Sequence, residues 1–226
     1  MDLSEIADCF SNTRKFIELH SGYFDAFWKK NGKGIFALSF TSSSKELNAS
    51  AARVRTDGYN AYYVSITNAM FFVAHEYIRV FLSDNNVFQG IGTSSNLLVV
   101  PSIRARSFEE LISDIENSGP LPSFDENRKK LHYFMFELTL KFVMLHEFTH
   151  IIHGHTDLGY EYKFDKQEVM PKLDIQTLEL DADAKAILNL RQECLNRMYD
   201  DPIVPDQLRD EKKISYCLSF CHLLSM

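Results

Sequence analysis

Apolar and polar residues change their rhythm along this chain, and the changes mark out its elements. Over residues 4–20 the apolar positions Ile6, Cys9, Phe10, Phe16 and Ile17 suit a helix. Gly34-Ile35-Phe36-Ala37-Leu38-Ser39-Phe40 reads as a strand. Arg53-Val54-Arg55 and Ala61 to Ile66 flank Thr56-Asp57-Gly58. β-branched and aromatic residues on either side of an Asp-Gly step predict a hairpin. Asn68 is placed to N-cap the next segment, Ala69 to Leu82, whose apolar residues predict a buried helix. Residues 83–96 are rich in Gly, Asn and Ser and predict a loop. Leu97 to Val100 suits a short strand, and 117–127, with Asn117-Ser118-Gly119-Pro120, is the clearest break.

Beyond the break the period becomes helical. A long helix is expected from Arg128 to about His153, with Gly154 as its stop. A loop closed by Pro171 follows. A second long helix is expected from about Asp174 to Met198, ended by Pro202 and Pro205, and a last one from about Asp206 to Leu224. The expected fold is α+β. Its N-terminal part, 1–116, carries a small antiparallel or mixed sheet with helices, and its helical part spans 128–226. Together they are expected to form one compact catalytic unit.

Composition narrows the class. At 226 residues with 45% hydrophobic and 24% charged residues the chain is globular, and 18 Phe and 10 Tyr fill an interior. The net charge of −7 disfavours a phosphate backbone as partner, so no nucleic acid is expected. The four cysteines (Cys9, Cys194, Cys217 and Cys221) are too sparse for a disulfide scaffold and read as thiols in a reducing compartment. The start, Met1-Asp2-Leu3-Ser4-Glu5, lacks the features of a signal peptide. The most apolar stretch, Phe134 to Ile152, is interrupted by Glu137, Lys141, His146, Glu147 and His150. A soluble, cytoplasmic protein without a membrane span is expected.

The chemistry concentrates on the first long helix. His146 and His150 are four apart, so both project from one face and can share a metal ion. Glu147 lies about 100° around the helix, beside the open coordination position. This is the His-Glu-x-x-His pattern, in which the Glu acts as general base toward water on a zinc ion. The first two letters recur at His75-Glu76, but Arg79 stands where the second ligand belongs, and that stretch reads as ordinary helix surface. A catalytic zinc ion takes three protein ligands. Glu179 opens Glu179-Leu180-Asp181-Ala182-Asp183, where residues 179 and 183 again share a face. Glu179 would complete a two-histidine, one-glutamate set for one zinc ion. Asp183 would accept the other imidazole N–H of a ligand histidine. The small Ala182 suits close helix approach. Asp181 and Asp183 interrupt an apolar run (Leu178, Leu180, Ala182, Ala184, Ile187, Leu188), and a carboxylate there needs a partner. His153 and His155 read as histidines at the helix end or in the loop, with help in transition-state binding or a second metal site as the sharper alternatives.

His146-Glu147-x-x-His150, followed about thirty residues on by Glu179-x-x-Ala182-Asp183, resembles the gluzincin class of metallopeptidases. The metzincin pattern fails, because His153 and Thr156 stand where it needs Gly and His. The resemblance implies a zincin-like fold and peptide-bond hydrolysis in a protein substrate. It also implies a Tyr or His donor to the oxyanion, for which Tyr160, Tyr162 and His222 are the candidates. A strand of the sheet such as Tyr62 to Ile66 would hold an extended substrate by edge pairing. Over residues 50–195, with the hairpin, the aromatic helix Asn68 to Phe81, and Phe142-Val143-Met144-Leu145 before the motif, the chain is similar to the phage-exclusion peptidases related to Lit. That likeness implies a role in abortive phage defence, a translation factor as substrate and a phage-derived trigger peptide. Two alternatives stand beside it. One is a regulatory peptidase that cleaves a repressor or antitoxin. The other is an inactive zinc-containing binding or sensor module.

Overall fold

The structure is a computed structural model that describes residues 35–41, 48–56, 59–95, 110, 113, 123–197, 204 and 206–225. The helix expected over residues 4–20, the strand Leu97 to Val100, residues 117–122 of the expected break, and Pro202 and Pro205 lie outside the described residues. The described elements, in chain order, are β1 (Ile35–Thr41), β2 (Ala49–Thr56), β3 (Tyr59–Thr67), α1 (Asn68–Ser83), α2 (Glu126–Ile152), α3 (His155–Tyr160), a π-helical turn (Glu161–Lys166), α4 (Lys172–Arg197), a short 3₁₀ turn (Asp206–Leu208) and α5 (Glu211–Ser225). The fold is α+β, with helices and a small three-stranded mixed sheet.

The expected hairpin forms, and it is longer than the β-branched residues alone indicated. β2 and β3 pair antiparallel from Ala49↔Ile66 to Thr56↔Tyr59. The small residues Ala49 to Ala52 extend β2 because cross-strand pairing supplies what their weak strand preference lacks. The strand order is β1-β3-β2, so β3 is central and β2 is an edge. α1 begins at Asn68, with Thr67 at the cap position and no side-chain capping bond. Thr67 Oγ1 instead accepts the backbone N–H of Asn48 at 3.2 Å. The segment after Gly154 is helical where a loop was expected, since α3 and the π-helical turn occupy residues 155–166.

The chain divides into two compact units, neither of them continuous in sequence. One holds the sheet together with 144–186. Its core is Tyr62, Val64, Ile66, Met144, Phe148, Ile151, Ala182 and Ala186, and Phe36 lies against Phe148 with ring centroids 5.1 Å apart.

The other unit holds 67–143 and 187–226. Phe71, Ala74, Ile78 and Leu82 recur at helical spacing along α1 and are buried, as are Leu131, Phe134, Met135, Leu138 and Phe142 on α2. Arg128 is fully buried, and its guanidinium donates to the carbonyls of Leu82, Asp84, Val87 and Ile91. This fan of bonds closes the 84–91 loop onto the start of α2. Asp125 caps that helix by accepting Arg128 N–H at 2.8 Å. Gly92, at φ +62°, packs so closely that a Cβ would collide with Asp125 and with the Arg128 amide. His75 and Glu76 are buried, not surface residues as the sequence suggested: 4% and 1% exposed, they bond each other at 2.8 Å. Their mutual hydrogen bond offsets part of the cost of burying both polar groups. His132, whose Nε2–H donates to the His75 carbonyl, has its pKa pushed down to about 3 by burial. Cys194 and Cys217 are buried thiols, and Cys9 and the Cys221 side chain lie outside the described residues. No helix among the described residues is long and apolar enough to cross a membrane.

Candidate metal centre

The last two turns of α2 carry His146, Glu147 and His150. The helix stops because Gly154 adopts φ +81°, a left-handed conformation that costs a glycine little. The chain then turns into α3 and returns along α4, which starts when the Pro171 carbonyl accepts Ile175 N–H at 3.1 Å. The return brings Glu179, Asp181 and Asp183 opposite the histidines.

Three donor atoms converge there. His146 Nε2 and His150 Nε2 are 3.1 Å apart, and Glu179 Oε2 lies 3.2 Å from the first and 3.5 Å from the second. A group with one ligand atom each from His146, His150 and Glu179 could hold a metal ion. His153, His155 and Asp181 form another group of that kind. Asp183 Oδ1 sits 2.8 Å from His146 Nδ1, the ring nitrogen pointing away from the converging donors. The Asp183 carboxylate can therefore accept that N–H and hold the ring. Behind them Ala182 is fully buried, and with Ala186 it forms the inner face of α4. Leu180 and Leu188, read from sequence as part of an apolar run, face outward at 69% and 62% exposure. The inner face follows the i, i+4 row of small residues because bulky side chains would hold the helices apart.

Glu147 is buried beside this cluster and accepts a hydrogen bond from the Ala51 backbone N–H of β2. Burial raises its pKa from 4.5 to about 7, with the His146 charge opposing and the Glu179 charge adding. Burial also lowers His150 to about 4, which favours the neutral imidazole that a metal ion requires. Asp181 is held below the usual carboxylate range, chiefly by the His153 hydrogen bond.

A cleft of about 620 Å³ opens over these groups. Ala49 to Val54 of β2 line it together with Phe164, Met170, Ile175 and Leu178. β3 cannot receive an extended chain as the sequence suggested for Tyr62 to Ile66, because β1 and β2 occupy both its sides. The sheet edge that lines the cleft is that of β2. Arg53 fixes this strand to α3: its guanidinium bonds Asn60 at 2.8 Å and Asp157 at 3.2 Å and lies 4.8 Å over the Tyr160 ring. Asp157 also accepts the Tyr62 hydroxyl at 2.7 Å, and burial first, then this bond, raises the tyrosine to about 12.

No family model matches the chain, and the curated proteins and solved structures give no match either. The site must therefore be read from its own residues. His146, Glu147, His150, Glu179 and Asp183 come together. Of the three oxyanion candidates, Tyr160 lines the cleft, while Tyr162 lies apart from its lining with Lys166 4.3 Å over its ring. The His222 side chain lies outside the described residues. Two participants had no sequence signal of their own. The Ala51 amide is backbone, and the inward turn of Arg53 follows from strand register.

Proposed function

We propose that the chain is a zinc-dependent endopeptidase of gluzincin type with a zincin-like fold. The observation that carries this reading is the convergence of His146 Nε2, His150 Nε2 and Glu179 Oε2 with a buried carboxyl, Glu147, beside them. Ligands around a tetrahedral zinc ion at about 2.05 Å stand about 3.35 Å apart. The three separations of 3.1, 3.2 and 3.5 Å scatter around that value. Two imidazoles and one carboxylate also form a donor set suited to zinc.

His146, His150 and Glu179 would hold the ion, and Asp183 would orient His146. When bound, zinc supplies Lewis acidity that acidifies water and polarises a carbonyl. Glu147 takes the proton of the attacking water, a task suited to a carboxylate held beside the donor cluster. It then returns the proton to the leaving amine. The hydrogen bond from Ala51 N–H holds the carboxyl in place between these events. Because Ala51 N–H points to Glu147, the alternate residues Ala49, Ala51 and Arg53 present their backbone groups away from β3. An extended peptide added along that edge would run beside Glu147, with an apolar side chain received by Phe164, Met170, Ile175 and Leu178. Tyr160 is the candidate donor to the oxyanion.

The resemblance to Lit-related peptidases extends the proposal to a cytoplasmic protein substrate in phage defence, with a translation factor and a phage trigger peptide as the partners to test. The reading from a different class, an inactive zinc-containing sensor, is separated by Glu147→Gln. That variant is expected to keep one zinc ion per chain and to lose proteolysis by on the order of 10²–10⁴-fold. Proteomes of cells expressing the native chain and the variant identify the substrate by difference. Identical cleavage products from both would remove Glu147 from its role, and no products from either would favour the sensor.

A further inference from the structure

The group formed by His153, His155 and Asp181 lies against the candidate metal centre, and its hydrogen bonds show how the two are related. His155 is nearly buried, with 9% of its side chain exposed. Its Nδ1 is 3.1 Å from His150 Nδ1, and its Nε2 is 3.1 Å from Asp181 Oδ2. Asp181 Oδ2 also receives His153 Nδ1–H at 2.5 Å. We propose that His155 is a positioning residue for His150, backed by Asp181 and His153, and that these groups brace one metal centre instead of forming a second.

The proposal rests on the reading that His146, His150 and Glu179 hold a metal ion, which fixes where each imidazole proton sits. A neutral imidazole carries one N–H and one bare nitrogen. If His150 Nε2 faces the ion it is bare, so the proton is on Nδ1 and must find an acceptor. The atom it meets is His155 Nδ1, which must then be bare. The His155 proton is therefore on Nε2, where it points at Asp181 Oδ2. His153 donates to the same oxygen. Each of these N–H groups has an acceptor, and the chain of bonds has a single direction, from ligand to carboxylate.

A second ion on His155 Nε2 would reverse that direction. The His155 proton would move to Nδ1 and face the Nδ1–H of His150, placing two donors across 3.1 Å. Filling both groups at once would require breaking this contact or removing a further imidazole proton. The same count keeps His155 from serving the oxyanion, because both its nitrogens are engaged. His146 is held differently, directly by the carboxylate of Asp183.

The test is zinc binding by the full chain, measured by competition with a chromophoric chelator, together with metal analysis. The native chain should bind one ion. His155→Ala should weaken zinc about 10–100-fold. Two further variants separate positioning from simple packing. Asn places its amide oxygen near the position of Nδ1 and can still accept from His150, so His155→Asn should recover most of the affinity. Gln places its amide nitrogen near Nε2, keeps only the Asp181 bond, and should not. In the zinc-loaded native chain, ¹⁵N NMR should give His155 as the Nε2–H tautomer. Two ions per chain, equal affinities for the Asn and Gln variants, or a His155 Nδ1–H tautomer would overturn the proposal. One ion at native affinity in His155→Ala would overturn it while leaving the metal centre standing. No zinc on the native chain would remove the metal centre and the proposal with it.

Discussion

Replacing Glu147 by Gln removes a negative charge from a place where folding has to bury one. The side chain is 8% exposed, and its carboxyl titrates near 7 in place of 4.5 because of that burial. A folded pKa above the unfolded one means that the folded state binds the proton more tightly. Below pH 4.5 the group is protonated in both states and opposes nothing. Between 4.5 and 7 the unfolded chain ionises first, so stability falls as pH rises. Above 7 the full penalty is present, about 3 kcal/mol for the metal-free protein. Gln is neutral at every pH and can still accept the Ala51 N–H through its amide oxygen. In excess chelator the variant should therefore melt above the native chain at pH 8, by about 5–10 °C for a chain of this size. At pH 5 the gap should shrink to about 2 °C. Carboxylates remote from Glu147 cancel in the difference. Adding zinc should also narrow the gap at pH 8, because a cation beside Glu147 favours its ionised form. Differential scanning calorimetry at the two pH values decides the matter. An equal gap at both would mean that Gln acts through packing, and no gap at pH 8 would mean that Glu147 is not held in a desolvated place.

Three further variants test separate parts of the structure. Asp183→Ala should weaken zinc binding about 10–100-fold while leaving every direct ligand in place, measured by chelator competition; unchanged affinity would detach Asp183 from His146. Ala51→Pro removes the N–H that Glu147 accepts but no bond to β3, and it blocks the edge of β2. It should keep zinc and lose more than about tenfold in peptide hydrolysis, and full activity would remove β2 from substrate binding. Arg128→Ala strands the carbonyls of Leu82, Asp84, Val87 and Ile91 and should cost on the order of 3–5 kcal/mol, read as a fall of about 10 °C in melting temperature. A fall of less than about 3 °C would mean that water replaces the guanidinium.

Features that depend on neighbours along the chain were legible in the sequence. The i, i+4 spacing of His146 with His150, and of Glu179 with Asp183, puts each pair on one helical face wherever the helix lies. Strand-forming runs on either side of an Asp-Gly step predict the pairing of β2 with β3, and Gly154 stops α2 because the left-handed turn is open to a residue without a Cβ. The interruption of an apolar run by Asp181 and Asp183 announced that those carboxylates needed partners. Which partners they found was decided by tertiary structure. Asp183 meets His146 and Asp181 meets His153 and His155 because of how α4 lies against the end of α2, and no local period encodes that. Strand order is a non-local choice of the same kind. The alternation in Tyr62 to Ile66 marks a strand but not an edge, and only the sheet puts β3 at its centre, β2 at an edge and the Ala51 amide against Glu147. Burial of His75 and Glu76 is likewise something that hydropathy does not register. Helical and turn preferences act over a few residues, whereas the pairing of a proton with its acceptor across the candidate centre depends on atoms brought within 3 Å or so from distant parts of the chain.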